Sequence, residues 1–320
     1  MPLIDSDFKN SRLLFHHHLQ TIYPGILRRV GKVNYDRERI NTPDKDFLDL
    51  DWSKTGSKKL VIISHGLEGN SERSYMLGMA RIFNENGWDA LAWNYRGCSE
   101  EMNRNLIMYH SGATYDLDLV VKHASESYEE IALVGFSLGG NLTLKYLGEQ
   151  STNIHSSIKG AVIFSVPMDL HQSSLKMNHS YNRIYTRRFI NHLSVKLRRK
   201  AEMFPGEIKL NSLRKDMSIF EFDHIFTAPI HGFKDAEDYY YQCSAIRFIE
   251  DITIPTLIVN AQNDSFLSES CYPENILNTN LYLEYPQSGG HVGFTPPGFG
   301  FPYWSEKRAV DFILSLETIL

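Results

Sequence analysis

Cysteine is the scarcest of the reactive residues in this 320-residue chain. Cys98, Cys243 and Cys271 are widely scattered, odd in number and without a CxxC pair, which argues against a disulfide framework and suits free thiols in a reducing compartment. A cytoplasmic location is expected. Long apolar runs are missing too, since none approaches the roughly 18 residues that a membrane span requires. The opening stretch, MPLIDSDFKNSRLLF, has early acids and no sustained apolar core, unlike a secretory signal. Nor is positive charge in excess. A formal charge of −5 and a pI near 6.2 give no global electrostatic reason to bind nucleic acid, and none is expected as a partner. What remains is an ordinary globular make-up, 42% hydrophobic and 22% charged, enough for one large domain over residues 1–320.

Short apolar runs alternate with helical patterns along that chain. LVIIS (60–64), ALAWNY (90–95), IALVGF (131–136), AVIFSV (161–166), TLIVNA (256–261) and LYLEY (281–285) have strand length and composition. Being apolar almost throughout, they read as parallel strands buried on both faces. Helices are predicted over 74–87, 114–126 and 138–149, and at the C-terminus, where Ala309, Phe312, Ile313 and Leu316 form a stripe. The alternation implies an α/β fold with a mostly parallel central sheet, helices on both faces and right-handed crossovers. Between Met168 and Asp251 the rhythm stops. A gap that long must carry structure of its own, and residues 168–251 are read as a helical cap inserted over the sheet's C-terminal edge, where such folds bind ligands.

G-F-S-L-G, residues 135–139, follows a predicted strand and opens a predicted helix, the context of a nucleophile elbow. A sharp strand-to-helix turn strains the serine backbone and demands small neighbours two residues away on each side. Ser137 then stands exposed at the sheet edge, with the Leu138 amide at the positive end of the following helix. A serine hydroxyl needs a base, and the base needs an orienting acid. His291, in the glycine-rich SGGHVGF after LYLEY, is placed to be the base. Asp264, in NAQND after TLIVNA, is the natural acid, with Asp169 as its rival. His65-Gly66 follows another apolar run and brings the Leu67 amide to the same edge, so the backbone N–H groups of Leu67 and Leu138 are the expected oxyanion donors.

Three further features invite a functional reading. His16-His17-His18 suggests a metal, but consecutive residues do not project to one point in a helix or strand, so no metal is expected and His18 is given a structural hydrogen-bonding role. Cys98 has no base paired with it in the sequence and is read as structural. Residues 183–200 carry seven basic side chains and no acid, interleaved with Ile190, Leu193 and Leu197 at helical spacing. Such a basic amphipathic helix is compatible with an anionic membrane surface, although a solvated cap face is the plainer reading.

HLQTIYP (18–24), TPDKDFLDLDW (42–52), SHGLEGN (64–70), NYRGCS (94–99), YHSGATYDL (109–117), GFSLGGN (135–141), EFDHIFTAP (221–229) and GGHVGF (289–294) together resemble the YheT-like branch of the α/β-hydrolases, the AB hydrolase 4 family. The resemblance spans nearly the whole chain. It implies Ser137, Asp264 and His291 as the charge-relay set, no metal or organic cofactor, and a small-molecule ester as substrate. The triad predicts ester cleavage through an acyl-enzyme, and the cap aromatics Phe220, Phe222, Phe226 and Phe233 suit short- to medium-chain or lipid-like acyl groups. Ester synthesis onto an alcohol acceptor by the same triad, and a non-catalytic binding protein on the same fold, are the alternatives.

Overall fold

All six apolar runs are strands of one sheet. A computed structural model describes residues 3–274 and 276–317. Its strands are β1 (Leu3–Ile4), β2 (Asp36–Asn41), β3 (Phe47–Ser53), β4 (Lys59–Ser64), β5 (Asp89–Asn94), β6 (Glu130–Phe136), β7 (Ile158–Phe164), β8 (Thr256–Val259) and β9 (Leu281–Glu284). They lie in the order β1-β9-β8-β7-β6-β4-β5-β3-β2. Every neighbouring pair from β1 to β5 is parallel, whereas β3 runs antiparallel to both β5 and β2. The register sets Ser64 beside Gly135 and Phe136 beside Phe164, so the loops after β4, β6 and β7 leave the sheet side by side.

Side chains alternate across the pleat and so feed two cores. Leu60 and Ile62 of β4 join Leu117, Val120 and Val121 on one face, while Val61 and Ile63 join Met76, Phe83 and Ile313 on the other. The covering helices are the predicted ones. α1 (His17–Ile26) precedes them; α2 (Ser74–Glu85), α3 (Thr114–Ser125) and α4 (Leu138–Gln150) follow in the first half of the sheet.

Between β7 and β8 the chain builds helices in place of strands. They are α5 (Leu170–Met177), α6 (Arg183–Met203), α7 (Ile219–Phe222), α8 (Ala228–Ile230) and α9 (Ala236–Cys243), with a π turn over Asp223–Thr227 between α7 and α8. This segment has its own small core of Ile190, Leu197, Met217, Phe222 and Phe226. α10 (Trp304–Glu317) returns to the sheet and packs on β7.

The search for apolar runs finds none of β1, β2 and β3, although β3 falls within TPDKDFLDLDW (42–52), the early strand region of the resemblance. β3 is buried along its whole length yet carries Asp49 and Asp51, which hides it from a search for apolar runs. Arg39 and Arg37 of β2 stand directly across and form two-pronged ion pairs with them, Nε to Oδ1 at 2.7 Å in both cases. Charges so paired are tolerated in a buried strand.

Candidate active site

Ser137 occupies the turn between β6 and α4 at φ 53°, ψ −118°, a backbone region that strains any residue with a side chain. Its amide donates to Phe164 O at 2.9 Å, and its carbonyl accepts from Asn141 N at 3.1 Å, so the strain is held from both sides. The flanking glycines explain themselves by contact. A Cβ on Gly135 would lie 2.7 Å from Gly139 O, and one on Gly139 would collide with Ser64 O.

Asp264 and His291 come from the loops after β8 and β9. His291 Nε2 lies 2.9 Å from Ser137 Oγ, and His291 Nδ1 lies 2.8 Å from Asp264 Oδ2. The other oxygen of Asp264 accepts the Phe266 amide at 2.9 Å, and the Phe266 ring stacks on the imidazole with centroids 4.1 Å apart. The imidazole is thereby fixed in plane and in rotation. Asp169, the rival acid, instead caps α5 by accepting the Gln172 amide at 3.0 Å.

The Leu67 loop passes against the elbow. A Cβ on Gly66 would sit 3.3 Å from the Ser137 Cβ, and neither the Leu67 nor the Leu138 amide donates to another protein group among the described residues. Both side chains line the cavity beside Ser137. The loop is held by His65, whose Nδ1 meets Gly66 O at 2.8 Å while its Nε2 accepts the Tyr95 amide. Burial drives this imidazole's pKa down to about 3, so it stays neutral.

Glu68, at φ 54°, is clamped more tightly still. Its amide donates to Tyr109 Oη, and its carboxylate accepts from Tyr109 Oη at 2.6 Å and from Lys196 Nζ of α6 at 2.9 Å. Arg73 donates to its carbonyl at 2.9 Å. Burial disfavours the Lys196 charge, but Cys98 and Glu68 outweigh it and hold the ammonium above the usual lysine range. Lys196 also donates to Cys98 Sγ at 3.0 Å, while burial pushes that thiol up to about 11, consistent with an unreactive, structural cysteine.

Sequence reasoning missed a staple from α1. Gln20 is buried, and its Oε1 accepts both Asn263 Nδ2 and Gly289 N at 2.9 Å, while its Nε2 donates to Leu14 O. Asn263 adjoins Asp264, and Asn263 Oδ1 accepts the Gly290 amide at 3.0 Å. Thr21 Oγ1 accepts the His291 amide at 2.9 Å. One helical turn thus ties the Asp264 loop to the His291 loop. The signal is the HLQT tetrapeptide at 18–21, whose glutamine and threonine supply these acceptors.

Two expectations about the N-terminal histidines fare differently. His18 does form a structural bond, Nδ1 to Tyr185 Oη at 2.9 Å. The argument that three consecutive histidines cannot converge is corrected, because their ligand atoms lie within 4.8 Å of one another. His16 is extended rather than helical, at φ −114°, ψ 138°, and its Nδ1 accepts the His18 amide, which folds its ring back. The His16 and His17 rings are stacked, 29° from parallel with centroids 4.3 Å apart.

Two cavities meet at the serine. The inner one, about 130 Å³, runs beneath the helical insertion among Leu170, Met177, Leu193 and Ile219. The outer one, about 330 Å³, opens between α1 and α6 past Ile26, Ile184 and Arg188. Leu67, Ser137, Phe189, Phe266 and His291 line both. At the inner end Asp223 accepts hydroxyls from Thr227 and Tyr240, and burial raises its carboxyl to about 6.

The sequence pattern of the family described as alpha/beta hydrolase fold matches residues 59–295. The chain belongs to the α/β-hydrolase family. Among relatives of this α/β-hydrolase, the Escherichia coli (strain K12) protein named "Putative esterase YheT" is 35% identical over 92% of this chain and 89% of its own. The Mus musculus "Phospholipase ABHD3" is 29% identical over 86% of this chain and 70% of its own. The YheT relationship agrees with the branch inferred from the motifs. In architecture the hydrolase resembles a Pyrococcus furiosus esterase, Pf2001, with a TM-score of 0.58 over 90% of this chain and 96% of that one, at 17% identity. Among the described residues, no helix is long and apolar enough to cross a membrane.

Proposed function

We propose that this α/β-hydrolase is a serine esterase that cleaves carboxylic esters with an apolar acyl group, through an acyl-enzyme. The carrying observation is the unbroken relay from Asp264 through His291 to Ser137, at 2.8 and 2.9 Å. Ser137 Oγ attacks the ester carbonyl while His291 Nε2 takes its proton, and Asp264 holds Nδ1–H and stabilises the imidazolium. The unused Leu67 and Leu138 amides receive the oxyanion, each worth roughly 3 kcal/mol in the transition state. Collapse expels the alkoxide, which takes the proton from His291. Water, deprotonated by the same imidazole, then releases the acid.

The acyl chain occupies the inner apolar cavity, and the alcohol part lies in the outer one. Residues 168–251 act as a cap over the serine. Relatives named esterase and phospholipase support this assignment, and a lipid-like ester fits the apolar lining. The test is stoichiometric labelling by a fluorophosphonate and turnover of p-nitrophenyl esters graded by acyl length. Ser137→Ala is expected to abolish labelling. Asp264→Asn should lower kcat by roughly 10³–10⁴-fold with the fold intact. A wild-type protein that neither labels nor cleaves any such ester would favour a binding protein instead. Faster ester formation than hydrolysis with an added alcohol would favour an acyltransferase.

A further inference from the structure

The α6 helix has one side buried in the insertion core, through Ile190 and Leu197, and an opposite side facing out. On the outer side Arg183, Arg187, Arg188, Arg198 and Arg199 are exposed, and none has a carboxylate partner among the described residues. From residue 183 to residue 200 the sequence has no acid, in a chain whose net charge is −5. This concentration of unpaired guanidinium groups against the global sign is not what a merely solvated face of this protein would carry.

A second observation points the same way. The outer cavity leads from Ser137 and His291 to a mouth framed by α6 and α1. The mouth is apolar and open: Ile184 is 64% exposed and Ile26 63% exposed, and both line the cavity. Leu19, Ile22 and Ile26 share one face of α1 at helical spacing, and Leu27 beyond it is also exposed. The His18–Tyr185 hydrogen bond and the packing of Ile22 with Tyr185 and Phe266 set α1 beside the first turns of α6. Apolar rim and basic helix therefore adjoin at the entrance to the reactive serine.

We infer that this α1–α6 face docks on an anionic lipid bilayer, with the arginines of α6 among the headgroups and the apolar rim at the acyl boundary. The inference deepens the proposed esterase reading, since it lets a lipid ester pass from the bilayer into the outer cavity without crossing water. An interfacial helix of this type gains from both buried apolar area and attraction to anionic headgroups. Nucleic acid would satisfy the arginines but leaves the apolar rim without a role.

Docking is measured on Ser137→Ala protein, so that the result stands apart from whether the triad turns over. Co-sedimentation with phosphatidylcholine vesicles, with and without phosphatidylglycerol, is read at low and high salt. Binding is expected only with the anionic lipid and is expected to weaken as salt rises. Because each basic side chain near such a surface contributes about fivefold in partitioning, Arg187→Gln with Arg198→Gln should weaken binding about 30-fold. Neither arginine lines a cavity, so in the otherwise wild-type protein the same pair should leave cleavage of a water-soluble ester unchanged. Ile26→Glu should weaken docking as well. Absence of binding, equal binding to neutral vesicles, insensitivity to the double substitution, or retention by duplex DNA but not by vesicles would each overturn the inference.

Discussion

Replacing Gln20 by leucine removes the staple between the Asp264 and His291 loops while keeping a side chain of similar size. The wild-type amide makes three hydrogen bonds, with Leu14 O and Gly289 N in a buried setting and with Asn263 Nδ2 in a partly buried one. At roughly 1 kcal/mol each, their loss amounts to about 3 kcal/mol. Unfolding entropy near 2.1 cal/mol/K per residue gives about 0.67 kcal/mol/K for 320 residues, so the melting temperature should fall by about 4–5 °C. That much any buried glutamine would give. The positioning role predicts more: freed of Gln20, the Asn263–Asp264 and Gly289–His291 segments drift, and a displacement near 1 Å is worth about 100-fold in rate. Gln20 lines neither cavity, so kcat should fall 10- to 100-fold with KM nearly unchanged, measured on a soluble p-nitrophenyl ester well below both melting temperatures. Thr21→Val, which removes the acceptor for the His291 amide, should act in the same direction. A Gln20→Leu enzyme that melts lower but keeps its kcat would reduce the staple to ordinary packing and refute the argument.

Asp223 makes a pH-dependent prediction about stability. Its folded-state pKa near 6 lies above the ordinary 3.8, so the folded protein holds the proton more tightly than the unfolded chain; the carboxylate's cost is small below pH 4, grows between pH 4 and 6, and reaches about 3 kcal/mol near pH 7. Asp223→Asn should therefore melt a few degrees above wild type at pH 7.5 and close to it at pH 4, by scanning calorimetry; a gap that does not change with pH would contradict the assignment. Lys196 and Glu68 form a mostly buried pair between α6 and the Leu67 loop. Lys196→Met should cost roughly 3 kcal/mol, because it leaves the Glu68 carboxylate short of a partner, and should lower kcat by disturbing the Leu67 amide; adding Glu68→Gln should recover part of the stability. Strictly additive losses in that double-mutant cycle would show that the two do not act as a pair.

The parallel half of the sheet was legible because its strands are buried on both faces by helices, and apolar side chains fill most of their positions. Ser137 was legible for a related reason: a positive φ next to a close helix–strand contact leaves glycine as the tolerated neighbour at 135 and 139. β3 was legible only through the TPDKDFLDLDW resemblance and not as an apolar run, since its buried charges are made tolerable by Arg37 and Arg39 from a different strand, a pairing that no local pattern records. α1 escaped for the opposite reason. Its inward side includes Gln20 and Thr21 beside Ile22 and Pro24, because it packs in part on loop backbone whose amides need acceptors, so the inward face is too polar to reveal the helix.

The same contrast bears on how such a site is kept in order. The sheet delivers Ser137, Asp264 and His291 to one edge, but the last two ride on loops, and a loop fixed only at its strand end has free rotation to lose before it can hold hydrogen bonds at 2.8 and 2.9 Å. The restraint comes from outside the sheet. Gln20 and Thr21 hold the relay loops from the N-terminal side, and Lys196 holds the loop bearing the Leu67 amide from the helical insertion. The helices that supply those restraints, α1 and α6, are also the two that frame the outer mouth. A force that shifts either helix is thus expected to reach the reacting groups through one or two hydrogen bonds. On that argument the entrance and the chemistry of this hydrolase are mechanically one unit, and variants at the rim should alter kcat as well as access.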